Sequence, residues 1–183
     1  KKTRKELELW SSLQHQNILP FKAICFFPGN DPRDSLFSMV SPWMSNGTIK
    51  EYIREHRSKN PVSMIIGITE GLVYLHARGI VHGDLKAANI FITNEGYPVL
   101  ADFGLSRLDE IDRVFTDSRS TSSTNPRGTI RYMAPEFFFS SPHRASFASD
   151  IWALGCIMLD ILYGTLPYAH RSSDPTIIHS LIM

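Results

Sequence analysis

The stretch His82-Gly83-Asp84-Leu85-Lys86-Ala87-Ala88-Asn89 decides how this chain is read, together with Asp102-Phe103-Gly104 and Ala134-Pro135-Glu136 further on. Singly, each is ordinary. A histidine two residues before an aspartate is a common loop, Asp-Phe-Gly an ordinary turn, and Ala-Pro-Glu a helix start with proline in the first turn. Order and spacing give them weight. Between the first two, Ile90 to Thr93 and Tyr97 to Leu100 alternate like strands around Asn94-Glu95-Gly96, a turn with glycine available for positive φ. Such a hairpin would bring Asp84, Asn89 and Asp102 to one edge of a small sheet. Two oxygen-donor side chains there suit Mg²⁺, a hard cation that takes one or two carboxylates plus phosphate oxygens.

Working outward, Ser63 to His76 has Ile65, Ile68, Leu72 and Leu75 on one helical stripe and is closed by Gly79. Thr48 to Glu55 is a shorter helix with Thr48 as its N-cap. The strand Leu36 to Val40 is broken by Ser41-Pro42-Trp43-Met44-Ser45-Asn46-Gly47, which reads as a linker between two lobes. Before it come an amphipathic helix over Lys2 to Leu13, a strand over Ala23 to Phe27 and the loop Pro28 to Pro32. After the centre, Thr116 to Asn125 is rich in Ser and Thr and reads as an irregular loop, and Ser149 to Tyr163 returns to helix. None of the eleven glycines forms a GxGxxG or GxxxxGK phosphate loop.

With 183 residues and 43% hydrophobic content, the chain supports one buried core. Nineteen Lys plus Arg against eighteen Asp plus Glu leave a net charge of +1, which argues against duplex nucleic acid or an anionic membrane surface as partner. Cys25 and Cys156 form no CxxC spacing, so a reducing, cytoplasmic compartment fits best. The most apolar run, Ile151 to Leu162, contains Asp160 and is shorter than the roughly 20 residues that cross a bilayer, so it reads as a core helix. Helical spacing within the first fifteen residues, and an uncapped apolar run from Thr176 to Met183, predict a piece of something larger.

Taken together, these stretches resemble the eukaryotic protein kinases, specifically the Ser/Thr-directed, tyrosine-kinase-like branch, from Lys1 to Met183. Glu6, Leu13 and His15-Gln16-Asn17-Ile18 look like the family's C helix and its exit, and Ser41 to Gly47 like the gatekeeper and hinge. Gly71 to His76 resembles the end of the family's E helix, Gly128 to Glu136 the substrate-facing end of the activation segment, and Ser149 to Gly155 the buried F helix. The resemblance implies an α+β, two-lobe fold: an upper-lobe remnant over 1–40, a hinge over 41–47, and part of the lower lobe over 48–183 with the activation segment at 102–136. It also implies ATP and Mg²⁺ as cofactors and a protein substrate.

Carried over by the same resemblance, Asp84 accepts or orients the proton of the substrate hydroxyl. Lys86 stands near the transferring phosphoryl group, and Asn89 and Asp102 hold Mg²⁺, with Gly104 giving Asp102 freedom to swing. Met44 offers its backbone to adenine, Ser41 is a small gatekeeper, and Phe91 is the floor of the adenine site. Trp10, Phe21, His82 and Phe103 match a stacked column joining the lobes.

The chain departs from the family in two respects. Gly83 stands where most members carry an arginine that pairs with a phosphorylated activation loop, so phosphates within Thr116 to Thr124 are expected to matter little. Partners the family gives to Glu6 and Glu136 are not found between Lys1 and Met183, nor is a glycine-rich loop. A catalytically inactive kinase-like binding or regulatory module therefore stands as the alternative. A third reading, a metal-dependent hydrolase using His76, His82 and Asp84, explains neither Ala134-Pro135-Glu136 nor the F-helix likeness.

Overall fold

A computed structural model describes residues 2–28, 35–56, 60–102, 130–139, 145–171 and 173–183. Helix α1 (Lys2–Ser12) leads to strands β1 (Ala23–Pro28) and β2 (Ser35–Val40). Helices α2 (Ile49–Glu55) and α3 (Pro61–His76) follow, then strands β3 (Ile90–Ile92) and β4 (Pro98–Leu100). Helices α4 (Phe147–Tyr163) and α5 (Asp174–Ile182) complete the order, and single 3₁₀ turns lie at Ala87–Asn89, Ile130–Tyr132 and Pro135–Phe138. The architecture is α+β.

Two antiparallel hairpins carry the strands. β1 pairs with β2 from Ala23 opposite Val40 to Pro28 opposite Ser35, and Ile24, Phe26 and Phe27 remain exposed along β1. β3 pairs with β4 through Ile90 opposite Leu100, Phe91 opposite Val99 and Ile92 opposite Pro98. Gly96 at φ 88° turns this hairpin, as Asn94-Glu95-Gly96 predicts. The small sheet is a hub for both flanking segments. Leu19 N–H donates to Leu100 O at 2.8 Å and Leu100 N–H to Asn17 O at 2.9 Å, while Ile92 N–H donates to Gly47 O at 3.0 Å.

Period-2 alternation puts Ile90, Ile92 and Leu100 in the core cluster beside α2 and α3, and all three are fully buried. From α3 come Ile68, Leu72 and Leu75 of the expected stripe, while Ile65 is only half-buried at its margin and Met64, outside the expected stripe, is buried instead. Each such side chain contributes roughly 1.5–3 kcal/mol on burial. Gly67 and Gly71 let α3 lie close to the preceding segment: a Cβ at Gly71 would stand 2.7 Å from Asn17 O.

Capping explains where the helices start. α2 begins as expected behind Thr48, which forms a capping box with Glu51. α3 starts two residues before the expected Ser63, because Asn60 Oδ1 accepts from Val62 N–H and Pro61 suits the first turn. α4 likewise starts at Phe147 rather than Ser149, capped by Ser146, and ends at Gly164 in the left-handed region. Expectations for Phe103, Gly104, Thr116 to Asn125, Gly128 and Thr129 lie outside the described residues.

Candidate active site

The loop from His82 to Asn89 is held from beneath by Asp150, a buried acid in the first turn of α4. Its Oδ2 accepts from His82 N–H at 2.8 Å and lies 2.8 Å from His76 Nε2, and its Oδ1 accepts from Gly83 N–H at 2.9 Å. A carboxylate near a helix N-terminus is favoured by the helix dipole, and here it satisfies two backbone donors that would otherwise be buried unpaired. Gly83 takes φ 76°, a conformation in which glycine is at ease.

On that base, Asp84 and Asn89 face each other across the turn Ala87–Asn89. Asn89 Nδ2 donates to Asp84 O at 2.9 Å and to Asp84 Oδ2 at 2.6 Å, and Lys86 Nζ lies 3.0 Å from the same Oδ2. The Asp84 side chain is 1% exposed and that of Lys86 13%. A carboxylate so enclosed is fixed in direction by two partners. His82 is fully buried, and desolvation holds its imidazole below the usual histidine range although Asp150, Asp84 and Asp102 all favour its charged form. Its Nδ1 accepts from Asp84 N–H at 3.3 Å, so the neutral ring carries its proton on Nε2.

Asp102 follows directly on the sheet. Ala101 N–H donates to Asn89 O at 2.9 Å, which ties the end of β4 to the loop, and Asp102 adopts φ 54° with an exposed side chain. A non-glycine residue in that region is held there by its surroundings at some cost in strain. With both Asn89 amide hydrogen bonds going to Asp84, its Oδ1 remains an oxygen donor, and Asp102 brings a carboxylate. One amide oxygen and one carboxylate fit a hard divalent cation that also binds phosphate.

A protein kinase domain profile matches residues 1–182. The chain belongs to the protein kinase family. The family as a whole uses ATP and a divalent metal, which suits this donor set. The serine/threonine-protein kinase RUNKEL of Arabidopsis thaliana is 34% identical over 189 residues, covering 96% of the chain and 13% of that protein. BCK1/SLK1/SSP31 of Saccharomyces cerevisiae, also named a serine/threonine-protein kinase, is 31% identical over 91% of the chain and 11% of its own length. The probable LRR receptor-like serine/threonine-protein kinase At5g37450 of Arabidopsis thaliana is 32% identical over 90% of the chain and 17% of its own length. This kinase chain thus spans between about a tenth and a sixth of these relatives.

The other predicted residues of the kinase site fall into two groups. Met44 and Phe91 pack on the same small cluster of Leu19, Val99 and Ala101, with Trp10 beside them. Ser41 is half-buried at the exit of β2. Of the predicted column, Trp10 and Phe21 meet edge to face at 5.5 Å, and Trp10 Nε1–H donates to Leu19 O at 2.7 Å. A cleft of about 320 Å³ bounded by Ile18, Pro42, Met44, Asn94 and Val99 is lined by no residue of loop 82–89. The hydrolase reading has no geometric support, since His76 and the His82 amide converge on Asp150 rather than on Asp84. Among the described residues no helix is long and apolar enough to cross a membrane.

Sequence reasoning missed Asp150 as the residue that holds loop 82–89, although an acid opening an otherwise apolar helix was the available signal. It also missed Tyr132, whose hydroxyl donates to buried Asp160 Oδ2 at 3.1 Å. Burial, reinforced by Asp160, pushes that phenol well above its ordinary value. Nothing in the sequence pairs residues 28 positions apart.

Proposed function

We propose that this chain is the catalytic part of a protein Ser/Thr kinase that moves the γ-phosphoryl group of Mg²⁺-bound ATP to serine and threonine hydroxyls of protein substrates. One observation carries the reading: the Asp84 carboxylate is fixed through Oδ2 by Asn89 and Lys86, and Asn89 also connects it to the Asp102 strand end. In this reading Asp84 takes the substrate hydroxyl proton as a positioned base, a role contributing roughly 10²–10⁴-fold. The Lys86 ammonium lies beside the position where phosphoryl charge develops. Asn89 and Asp102 hold the metal, which when bound neutralises charge on the phosphates. Met44 presents its backbone to adenine above Phe91, and Ser41 leaves room behind it. The free thiols Cys25 and Cys156 suit a reducing, cytoplasmic setting.

The test is transfer from γ-labelled Mg²⁺-ATP to casein by the full-length protein, followed by phosphoamino-acid analysis. Label on serine and threonine supports the reading. Absence of label, as expected of a kinase-like binding module, or label confined to tyrosine, would overturn it.

A further inference from the structure

The chain that follows Met44 folds back on itself: Gly47 N–H donates to Met44 O at 3.0 Å, and Gly47 takes φ 65° to close the turn. The two residues at its tip are both held by a distant segment. Ser45 Oγ–H donates to Asn94 Oδ1 at 2.6 Å, and Asn46 Nδ2 donates to Thr93 O at 2.6 Å. Consecutive residues beside Met44 thus grip consecutive residues of the turn joining β3 to β4, 49 and 47 positions away.

One side of this clasp is rigid. Thr93 N–H donates to Tyr97 O and Gly96 N–H to Thr93 O, each at 2.9 Å, Tyr97 N–H reaches Thr93 Oγ1 at 3.2 Å, and Ile92 just before them is fully buried. The other side has little frame of its own. Residues 41–47 belong to no helix or strand, Pro42 has no backbone N–H to give, and the Trp43 side chain is 87% exposed, so its packing anchors nothing. Past the tip, Ile92 N–H donates to Gly47 O at 3.0 Å and Thr48 bridges Phe91, which fixes where the segment leaves. The side chains of Ser45 and Asn46 fix the part next to Met44.

We infer that Asn94 is a positioning residue for the nucleotide: with Thr93 it clasps Ser45 and Asn46, and so holds the Met44 main chain in the orientation that adenine requires. The inference rests on the kinase reading above and adds to it a residue of the β3–β4 turn that acts on ATP only through the segment it holds. A ligand that binds one arrangement of this segment loses apparent affinity in proportion to the time the segment spends elsewhere. The Asn94 side chain holds Ser45 and lies apart from the Asp84, Lys86 and Asn89 cluster, so its influence falls on ATP binding and neither on the protein substrate nor on the proton step.

Steady-state transfer to casein and hydrogen–deuterium exchange, both on the full-length protein, test this. Asn94→Ala is expected to raise KM for ATP at least about threefold, with kcat and KM for casein within about twofold. Ser45→Ala should raise it to a similar extent, and the two together no more than either alone, because both remove one contact. Asn94→Asp keeps an acceptor for the Ser45 hydroxyl and should stay within about twofold of the unmodified protein. In exchange, Asn94→Ala should expose the Gly47 amide faster and leave the Gly96 amide unchanged. An unchanged KM for ATP in a variant that still shows Asp84-dependent transfer would overturn this inference alone, as would equal rises in both KM values, or faster exchange at Gly96, which would mean that the turn itself had loosened. Unmodified protein no more active than Asp84→Asn would overturn the kinase reading, and this inference with it.

Discussion

Replacing Asp150 with asparagine keeps the side chain's size and exchanges one acceptor oxygen for an amide donor. If the new nitrogen takes the Oδ2 position, it faces the His82 N–H and His76 Nε2; in the Oδ1 position it faces the Gly83 N–H. Either way one buried backbone donor loses its acceptor, a cost of about 1–3 kcal/mol. The remaining hydrogen bonds change from charge-assisted to neutral, which removes roughly 1 kcal/mol more. We expect Asp150→Asn to destabilise the chain by about 2–4 kcal/mol in urea unfolding, with faster amide exchange at His82 and Gly83. His76→Phe combined with Asp150→Asn should be less than additive, because both remove the same contact. A loss below about 0.5 kcal/mol with unchanged exchange at these two amides would refute the claim that Asp150 holds the loop.

Two glycines should respond in opposite directions. Gly71→Ala places a Cβ 2.7 Å from the Asn17 carbonyl and should destabilise by about 1–2 kcal/mol, whereas Gly155→Ala, in open space on α4, should stabilise by up to about 1 kcal/mol in thermal melts. Because burial lowers the His82 pKa, the unfolded chain binds a proton there that the folded chain refuses. That stability is complete above the ordinary histidine value of 6.5 and falls below it, by about 1.4 kcal/mol per pH unit until the folded pKa is reached. Urea midpoints across pH 7 to 5 should show this slope, and His82→Phe should flatten it. Burial pushes the Cys156 thiol up to about 11, and Cys25 is only half-buried. Iodoacetamide at pH 8 should label Cys25 at least about tenfold faster in peptide maps, since the thiolate is the reactive form.

The hairpin and the helical stripes were legible because local period and turn chemistry dictate them: Asn94-Glu95-Gly96 turns β3 into β4, and Ile68, Leu72 and Leu75 meet the core. Asp84, Lys86 and Asn89 were singled out by the resemblance of 82–89 to a kinase motif, and they meet because all three lie within six residues and fold onto one another through a single turn. What escaped were contacts between distant segments. Asp150 reaches a loop 67 and 68 residues away, and Arg131 reaches carbonyls 36 to 40 residues away, a main-chain contact that no residue identity announces. Helix starts shifted by two residues where Asn60 and Ser146 capped earlier than the apolar pattern began.

The central claim is that Asp84 performs the proton step, and kcat of Asp84→Asn in the full-length protein tests it most directly. Asparagine can still accept from Asn89 and retains the fold, so the thermal midpoint serves as an internal control. The account predicts a fall of about 10²–10⁴-fold in casein phosphorylation with KM for ATP little changed. A variant that retains more than about a tenth of the activity at an unchanged midpoint would contradict it.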